Sequence, residues 1–235
     1  MRESHPRTLD LYQPLTVQIR YSANVDLSEI RQTYETKGLD LPDLSPNPTD
    51  QFQIWYGEVT RAGYLEPNAM VLSTTTSDGW PRARIVLLKT FNDDGFCFFT
   101  NLTSDKASDL AATANASLTF PWVSLRRQVN IFGRSKQLTP EEVDAYWVTR
   151  PRGSQIGAWA SNQSSVIPNR EYLDNRFQFE EERWEGQLIE RPDFWGGFRV
   201  IPERFEFWQG RTNRLHDRLC YRRIENDWVI ERLSP

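Results

Sequence analysis

The sequence has few of the residues that build metal centres and disulfide frameworks. Its 235 residues include two cysteines, Cys97 and Cys220, and two histidines, His5 and His216. Two cysteines are too few for a disulfide framework or a four-cysteine zinc site, and two histidines cannot form a histidine-rich metal site. Cys97 lies among three phenylalanines, which indicates a buried thiol. We therefore expect no metal centre.

Long hydrophobic runs and an excess of basic charge are also absent. No apolar run reaches the roughly 18 residues that predict a membrane-spanning helix, and the N-terminal residues lack the apolar core of a signal peptide. The 28 Lys and Arg residues are outnumbered by 32 Asp and Glu, giving a net charge of −4. This balance disfavours a surface that binds nucleic acid or a membrane. We expect a reduced, soluble, cytoplasmic protein that holds any anion with a local group of basic side chains.

Several familiar catalytic motifs are missing. The sequence contains no G-x-G-x-x-G fingerprint, no Walker lysine loop, no G-x-S-x-G elbow and no H-E-x-x-H helix. A Ser-His-Asp triad would have to use His216, because His5 lies in the polar N-terminal stretch. The chemistry is therefore expected to come from a cofactor or from Arg, Lys and Tyr side chains.

Residue patterning predicts an α+β fold around an antiparallel barrel. Nine Trp and an aromatic share of 13% indicate a folded chain, in which residues 1–24 form a mobile tail and residues 25–235 a single domain. Strands are predicted over residues 69–76, 82–91, 96–101, 116–122, 127–137, 198–208, 219–223 and 228–233. Helices are predicted over residues 27–37, after a cap at Thr49 or Asp50, and over 106–113, 140–149 (with a capping box at Thr139), 154–161 and 169–184.

Basic side chains border the apolar strands. Arg84 and Lys89 flank a run of four aliphatic residues, and burying such charges is costly unless an anion or a partner neutralises them. Two interpretations stay open: a solvent-exposed pair at the strand ends, or an Arg fork and a Lys point charge that converge on a phosphate. Lys106 and Arg127 have similar positions beside strands.

Two further clusters carry polar chemistry. Tyr146, Arg150 and Ser154 are spaced four residues apart, so the first two are predicted to share a helix face and Ser154 to begin the next element. These three either hold a phosphate ester or cover a surface. Residues 208–218 place three Arg, His216 and Asp217 between two apolar strands, and Asp217 could orient either an Arg or the His.

These clusters, in this order, resemble the pyridoxine (pyridoxamine) 5′-phosphate oxidase family. The matching stretches are Arg84-Ile85-Val86-Leu87-Leu88-Lys89, Phe99-Thr100-Asn101, Arg127-Gln128-Val129, Ser154-Gln155-Ile156-Gly157-Ala158-Trp159, Gln163-Ser164-Ser165, Phe194-Trp195-Gly196-Gly197, Glu206-Phe207-Trp208-Gln209-Gly210 and Arg214-Leu215-His216-Asp217-Arg218. The resemblance extends over residues 27–235. The Arg-Leu-His-Asp-Arg and Ser-Gln-Ile-Gly-Ala segments separate this family from other FMN-binding split barrels.

The resemblance implies an antiparallel split β-barrel with peripheral helices, an FMN cofactor, and a homodimer with two sites at the subunit interface. It assigns to FMN the residues Arg84, Ile85, Val86, Leu87, Leu88, Lys89, Phe99, Thr100, Lys106, Gln128, Gln163, Ser164, Trp208 and Arg218. It assigns to the substrate the residues Arg31, Tyr34, Lys89, Tyr146, Arg150, Ser154, Arg214 and His216. Arg214 and His216 are the implied catalytic residues, and Arg31 and Tyr34 belong to an implied lid.

The implied activity is the oxidation of pyridoxine 5′-phosphate and pyridoxamine 5′-phosphate by O2 to pyridoxal 5′-phosphate, with release of H2O2, in vitamin B6 metabolism. Two alternatives stay open. One is a flavin or deazaflavin oxidoreductase with another substrate, which the Tyr146, Arg150 and Ser154 cluster disfavours. The other is a non-catalytic protein that binds flavin or pyridoxal phosphate.

One departure from the family pattern concerns position 105. The family usually has Ser-Arg-Lys where this chain has Ser104-Asp105-Lys106, and that arginine normally faces the FMN phosphate. An Asp removes one charge-assisted hydrogen bond, worth roughly 1.5–3 kcal/mol. Either the Asp105 side chain points away from the site, or FMN binds more weakly in this protein.

We predict that Asp105→Arg tightens FMN binding, because the substitution replaces a negative charge with a charge-assisted donor beside the phosphate. A fluorescence titration of the FMN-free variant with FMN measures the dissociation constant. Unchanged or weaker affinity in the variant would contradict the prediction.

Overall fold

The computed structural model describes Tyr34 and residues 36–235. The predicted tail over residues 1–24 lies outside these residues, and so does nearly all of the predicted first helix. Among the residues described, no helix is long and apolar enough to cross a membrane. The expected cytoplasmic location and the single-domain boundary at residue 25 stay predictions.

The chain at residues 36 and 37 is irregular, which corrects the predicted end of the first helix. The Thr36 hydroxyl donates a hydrogen bond of 2.6 Å to the carbonyl oxygen of Gly210. The Leu39 amide donates one of 3.0 Å to the Asp217 carboxylate. These tertiary hydrogen bonds hold residues 36–39 against Gly210 and Asp217.

One curled antiparallel sheet of nine strands forms the centre of the described structure. The strands are β1 (Ala69–Thr75), β2 (Pro81–Leu87), β3 (Thr90–Asn92), β4 (Gly95–Asn101), β5 (Asn115–Trp122), β6 (Arg127–Gln137), β7 (Trp195–Gln209), β8 (Asp217–Ile224) and β9 (Asp227–Leu233). The helices are α1 (Pro48–Arg61), α2 (Asp105–Thr113), α3 (Pro140–Trp147), α4 (Arg152–Ala160) and α5 (Arg170–Arg183). The strand order is β2-β1-β5-β6-β7-β4-β3, and β8 joins β7 to β9. This architecture confirms the predicted α+β split barrel with peripheral helices.

The segment predicted as one strand over residues 82–91 is in fact two strands on opposite edges of the sheet. β2 pairs with β1, whereas β3 pairs with β4. The chain changes its pairing partner between Leu88 and Lys89. The Leu88 amide donates a hydrogen bond to the carbonyl oxygen of Asn68, just before β1, and the Lys89 amide donates one to that of Cys97 on β4, each at 2.9 Å. Since only these two residues join the edges, the sheet has to curl until the edges meet. Lys89 therefore lies where the barrel closes.

β7 is the longest strand and pairs with three others. Near its start Trp195 lies opposite Asn101 of β4, and near its end Trp208 lies opposite both Gln128 of β6 and Arg218 of β8. Its 15 residues would span about 50 Å if the strand were straight, at roughly 3.3 Å per residue. The two ends of β7 therefore belong to different regions of the subunit.

α1 supplies the centre of the hydrophobic core. Phe52 is fully buried, and its ring lies 4.8–6.0 Å, centre to centre, from five aromatic rings: Tyr56, Phe91, Phe96, Phe120 and Trp122. Trp55 packs edge-on against Phe207 at 5.2 Å. Aromatic side chains of this size contribute most of the apolar area that a core removes from water.

Helix caps explain where the helices begin. The capping box predicted at Thr139 is present in α3, where the Thr139 and Glu142 side chains bond each other's backbone amides. α1 is capped by Asn47 rather than by Thr49 or Asp50, because Pro48 has the fixed φ that suits the first helical position. The cap therefore precedes the proline.

We predict that Phe52→Ala lowers the free energy of unfolding by about 3–5 kcal/mol, the usual cost of deleting a buried aromatic ring. Urea denaturation followed by tryptophan fluorescence measures the change. Ile54→Ala is the matched control, because Ile54 is 48% exposed on the same helix. Equal losses in the two variants would contradict the central position assigned to Phe52.

Candidate functional site

One cavity of about 630 Å³ opens beside the closure of the barrel. Its walls come from β2, β4 and α2 and, facing them, from α3, α4 and the start of β7. The volume lies within the roughly 300–1,000 Å³ usual for cofactor and ligand sites. The predicted site residues that line it are Ile85, Val86, Leu87, Lys89, Phe99, Thr100, Lys106, Tyr146, Arg150, Ser154 and Gln163. The structure thus brings together most of the first two clusters.

Arg150 lies half-buried in the wall formed by the junction of α3 and α4. Its Nη2 donates a hydrogen bond of 2.8 Å to the carbonyl oxygen of Ser154, and its guanidinium lies 4.7 Å from the centre of the Trp195 ring. Desolvation by burial lowers the pKa of Arg150. Its Nε is buried and has no hydrogen-bond partner among the residues described. A desolvated cation with an unused donor is suited to an anionic ligand.

Tyr146 reaches the same wall, but not along a shared helix face as predicted. α3 ends at Trp147, so Tyr146 lies in the last helical turn and Arg150 beyond it. The amides of residues 149 and 150 bond to carbonyl oxygens three residues back, which tightens the chain into a turn. The Tyr146 ring stacks on Phe99 with ring centres 4.0 Å apart. The turn, rather than helical spacing, places the two side chains together.

Ser154 lies in the first turn of α4 and does not begin that helix, which corrects its predicted position. α4 begins at Arg152 because Pro151, with an extended ψ of 141°, directly precedes it. Residues in a first helical turn have amides without partners inside the helix. Ser154 therefore joins the cavity wall at the end of a helix that carries partial positive charge.

Lys106 is a second desolvated cation of the cavity. Its Nζ contacts three neutral oxygens: the Thr100 hydroxyl and the Ser104 hydroxyl, each at 3.2 Å, and the Gln163 amide oxygen at 2.5 Å. Desolvation by burial lowers the pKa of Lys106, and the nearby charge of Arg84 lowers it further. These contacts orient the ammonium group without neutralising it.

Arg84 is not a solvent-exposed strand end, because its side chain is 20% exposed and meets a buried carboxylate. Its Nη2 lies 3.6 Å from Oδ2 of Asp109, and its Nη1 donates a hydrogen bond of 2.6 Å to the Thr74 hydroxyl. Desolvation by burial lowers the pKa of Arg84, and Asp109 opposes this shift. Arg84 is not one of the described residues that line the 630 Å³ cavity, but its charge lowers the pKa of Lys106, which lines it.

Asp105 lies in the first turn of α2, next to the predicted FMN residue Ser164. Its amide donates a hydrogen bond of 3.2 Å to the Ser164 hydroxyl. Its carboxylate lies 3.3 Å from Nη1 of Arg82. The Asp105 side chain is thus directed towards Arg82 on β2. Leu88, also assigned to FMN, packs in the hydrophobic core instead of lining the cavity.

A second group of predicted site residues forms a separate cluster around Trp208. Gln128, Trp208 and Arg218 lie opposite one another on β6, β7 and β8. The His216 ring lies 4.6 Å and the Tyr34 ring 6.5 Å, centre to centre, from the Trp208 ring. In the described part of the chain, none of these residues lines the 630 Å³ cavity.

Two loop residues complete this second cluster. Arg214 is exposed and has a φ of +60°, in the left-handed region. His216 accepts a hydrogen bond of 3.0 Å at Nδ1 from the Arg211 amide. Asp217 pairs with the guanidinium groups of Arg211 (3.3 Å) and Arg232 (2.7 Å), so of the two partners considered for it the structure favours Arg. Arg31 lies outside the described residues.

Sequence reasoning missed two residues that shape these clusters. Trp195 lies against both Arg150 and Tyr146. From the sequence, Trp195 was included only in a stretch that matches the family, without a role in the site. Glu206 is buried and accepts a hydrogen bond of 2.8 Å from Nε of Arg218. An acidic residue within an apolar strand was the available signal for Glu206, because a buried carboxylate needs a cationic partner.

Two family models match the chain. The model described as pyridoxamine 5′-phosphate oxidase matches residues 57–181, and the model described as the pyridoxine 5′-phosphate oxidase C-terminal dimerisation region matches residues 195–235. The second model contains the whole Trp208 cluster apart from Tyr34 and Gln128.

Curated proteins named pyridoxine/pyridoxamine 5′-phosphate oxidase are similar to the chain over most of their length. The protein of Gloeothece citriformis (strain PCC 7424) is 50% identical over 210 residues, which cover 89% of this chain and 98% of the relative. That of Rubrobacter xylanophilus is 50% identical over 213 residues, covering 91% and 98%.

Two solved structures are similar in fold. PhzG from Burkholderia lata 383, in complex with tetrahydrophenazine-1-carboxylic acid, has a TM-score of 0.78 and 32% identity, covering 83% of this chain and 95% of that chain. A pyridoxamine 5′-phosphate oxidase-related, FMN-binding protein from Nostoc punctiforme PCC 73102 has a TM-score of 0.66 at 16% identity, covering 81% and 99%. The second likeness concerns the fold alone.

We predict that Lys106→Met changes how stability depends on pH. Folding lowers the pKa of Lys106 below its ordinary value of 10.5, so the unfolded chain holds the proton more tightly. The charged form therefore penalises the folded state at neutral pH, and the penalty declines as pH rises from the folded-state pKa towards the unfolded-state value of 10.5.

Urea unfolding of the ligand-free wild type and of Lys106→Met between pH 7 and 10 tests this expectation. The advantage of the variant over the wild type should shrink as pH rises. Lys106→Gln is the second variant, because it removes the charge while keeping a polar side chain. A stability difference that stays constant across this range would contradict the desolvated state assigned to Lys106.

Proposed function

Because the chain belongs to the pyridoxine/pyridoxamine 5′-phosphate oxidase family and is therefore an oxidoreductase, we propose that it oxidises pyridoxine 5′-phosphate and pyridoxamine 5′-phosphate to pyridoxal 5′-phosphate. FMN is the proposed cofactor and O2 the proposed oxidant, with H2O2 as second product. The observation that carries this proposal is a cavity whose walls hold two desolvated cations, Lys106 and Arg150. Two phosphate-bearing ligands, a cofactor and a substrate, would each need such a cation.

The residues present fit FMN. Lys106 offers an ammonium group that neutral oxygens orient and do not neutralise. The charge of Arg84 lowers the Lys106 pKa, and the Ser164 hydroxyl accepts a hydrogen bond from the amide of the neighbouring Asp105. Phe99 and the aliphatic residues of β2 supply an apolar wall suited to a flavin ring system. Lys106, Gln163 and Ser164 would hold the phosphate group, and Ile85, Val86 and Phe99 would border the ring.

The substrate phosphate would bind at the opposite wall. Arg150 presents its buried Nε, whose lack of a partner would be met by a phosphate oxygen. Tyr146, Ser154 and Lys89 line the same cavity and supply a phenol, a hydroxyl and an ammonium group. This combination would select a ligand with a phosphate ester over one without.

The Trp208 cluster would complete the site from the second subunit of a homodimer. Trp195 and Trp208 lie near opposite ends of β7, so one chain keeps its two groups of predicted residues apart. The match of residues 195–235 to a dimerisation region supports contact between subunits through the part of the chain that carries Arg214 and His216. A two-fold dimer would then contain two equivalent sites, each built from both chains.

The cofactor and the two groups of residues would each have a separate role in the reaction. FMN, when bound, would supply the redox chemistry that carries electrons from the substrate to O2. Arg150, Tyr146, Ser154 and Lys89 fix the substrate through its phosphate, which turns the reaction into a well-oriented encounter. Arg214 and His216 would cover the substrate ring and hold its reacting carbon in position for the transfer.

An oxygen-uptake assay tests the proposed function. The purified protein should be yellow, consume O2 when pyridoxine 5′-phosphate is added, and release H2O2. Colour without O2 uptake would indicate a binding protein that does not turn over. Oxidation of NADPH without any response to pyridoxine 5′-phosphate would indicate an oxidoreductase with another substrate.

We predict that Arg214→Ala lowers kcat by about 100-fold, because loss of the group that orients the substrate ring misplaces the reacting carbon. Flavin should stay bound, because Arg214 is proposed to act on the substrate. Oxygen uptake and the flavin absorbance of the purified variant measure the two properties. Arg170→Ala, which breaks an exposed ion pair with Asp174, is the matched control. Near wild-type turnover in Arg214→Ala would contradict the assigned role.

A further inference from the structure

Arg82 lies next to the first turn of α2, which carries Asp105 and Lys106, although neither sequence motif nor resemblance assigns it a role. Arg82 and Arg84 are two residues apart on β2, so both side chains project from the same face. Arg82 lies opposite Thr74, and Arg84 lies opposite Leu72. Both guanidinium groups reach α2, where Asp109 accepts them on different oxygens.

The contacts of Arg82 with its two carboxylates are loose. Its Nη1 lies 3.3 Å from Asp105 and 3.5 Å from Asp109. Charge-assisted hydrogen bonds are usually about 2.7–2.9 Å long. A guanidinium group also has five N–H donors, more than these two contacts occupy. The Arg82 side chain is 44% exposed, so it remains accessible to a ligand.

The first turn of α2 connects Arg82 to the proposed phosphate site. Asp105, which holds Arg82, donates its amide to Ser164 and directly precedes Lys106. The three cations Arg82, Arg84 and Lys106 face two carboxylates, Asp105 and Asp109, so the group keeps about one net positive charge. Without Arg82 the group would be neutral and would offer little attraction to a phosphate dianion.

We propose that Arg82 is a ligand of the FMN phosphate, and that Asp105 keeps its guanidinium beside the site while competing with the phosphate for it. The proposal rests on the FMN cofactor named above. Arg82 then adds a charge-assisted bond to the phosphate, and the negative charge of Asp105 weakens the same phosphate contact. Asp109, which is buried, fixes Arg84 and limits the position of Arg82.

A double-mutant cycle on the FMN-free full-length protein tests the proposal. The variants are Arg82→Gln, Asp105→Asn and the double variant, each titrated with FMN and with riboflavin, which lacks the phosphate. Arg82→Gln should weaken FMN binding roughly tenfold or more, the loss expected for one charge-assisted hydrogen bond. Asp105→Asn should tighten FMN binding a few-fold. Riboflavin binding should not change in either variant.

The double variant separates direct contact from charge masking. If Arg82 binds the phosphate, Arg82→Gln weakens FMN binding at least as strongly when Asp105 is replaced by Asn, because the competing carboxylate is then gone. An effect of Arg82→Gln that vanishes in the Asp105→Asn background would overturn the proposal, because Arg82 would then only neutralise Asp105. Unchanged FMN affinity in Arg82→Gln would overturn it too.

Further controls separate local damage and a wrong cofactor from the proposed contact. Equal weakening of FMN and riboflavin binding in Arg82→Gln would overturn the proposal, because a lost phosphate contact cannot affect riboflavin. Arg170→Gln, in an exposed ion pair on α5, should change neither affinity. A wild-type protein that binds neither flavin would contradict the proposed function itself, an outcome distinct from every result of the cycle.

Discussion

The rest of the structure depends on the hydrogen-bond ladders of β7. This strand pairs with β4 at its start, with β8 at its end, and with β6 along most of its length, so it fixes the relative positions of all three. Trp195 lies at its start under Arg150, and Trp208 lies near its end beside His216. A strand of this length keeps the two groups of candidate site residues in separate regions of one subunit. In our account a second chain brings the two groups into one site.

The net charge of the sequence does not reveal the cations that line the cavity. The whole chain is mildly acidic, yet Arg150 and Lys106 are cations whose direct partners in the cavity are neutral or absent among the residues described. Burial makes such charges costly to the folded protein unless a ligand compensates them. In our account that ligand carries phosphate, so binding of the cofactor and the substrate offsets the desolvation cost of these charges.

Local signals were readable from the sequence, and long-range geometry was not. The capping box at Thr139 and the buried thiol of Cys97 follow from short-range rules, and both are present. The single strand expected over residues 82–91 was wrong, because the change of pairing partner at Leu88 depends on the closure of the whole barrel. Arg150 was correctly grouped with Tyr146, but a turn joins them where helical spacing had been expected. The pairing of Arg82 with Asp105 depends on how α2 packs against β2, which residue spacing does not encode.

The central claim is that each site contains Arg150 from one subunit and Arg214 from the other. The most direct test co-expresses differently tagged Arg150→Met and Arg214→Ala chains. All the dimers that form are isolated together, and their oxygen uptake is measured. In a mixed dimer both substitutions would fall in one site and leave the second intact. Random mixing makes about half of the dimers mixed, so the whole population should have roughly a quarter of wild-type activity. If both arginines of a site came from the same chain, every site would carry a substitution and the mixture would stay as inactive as its parents.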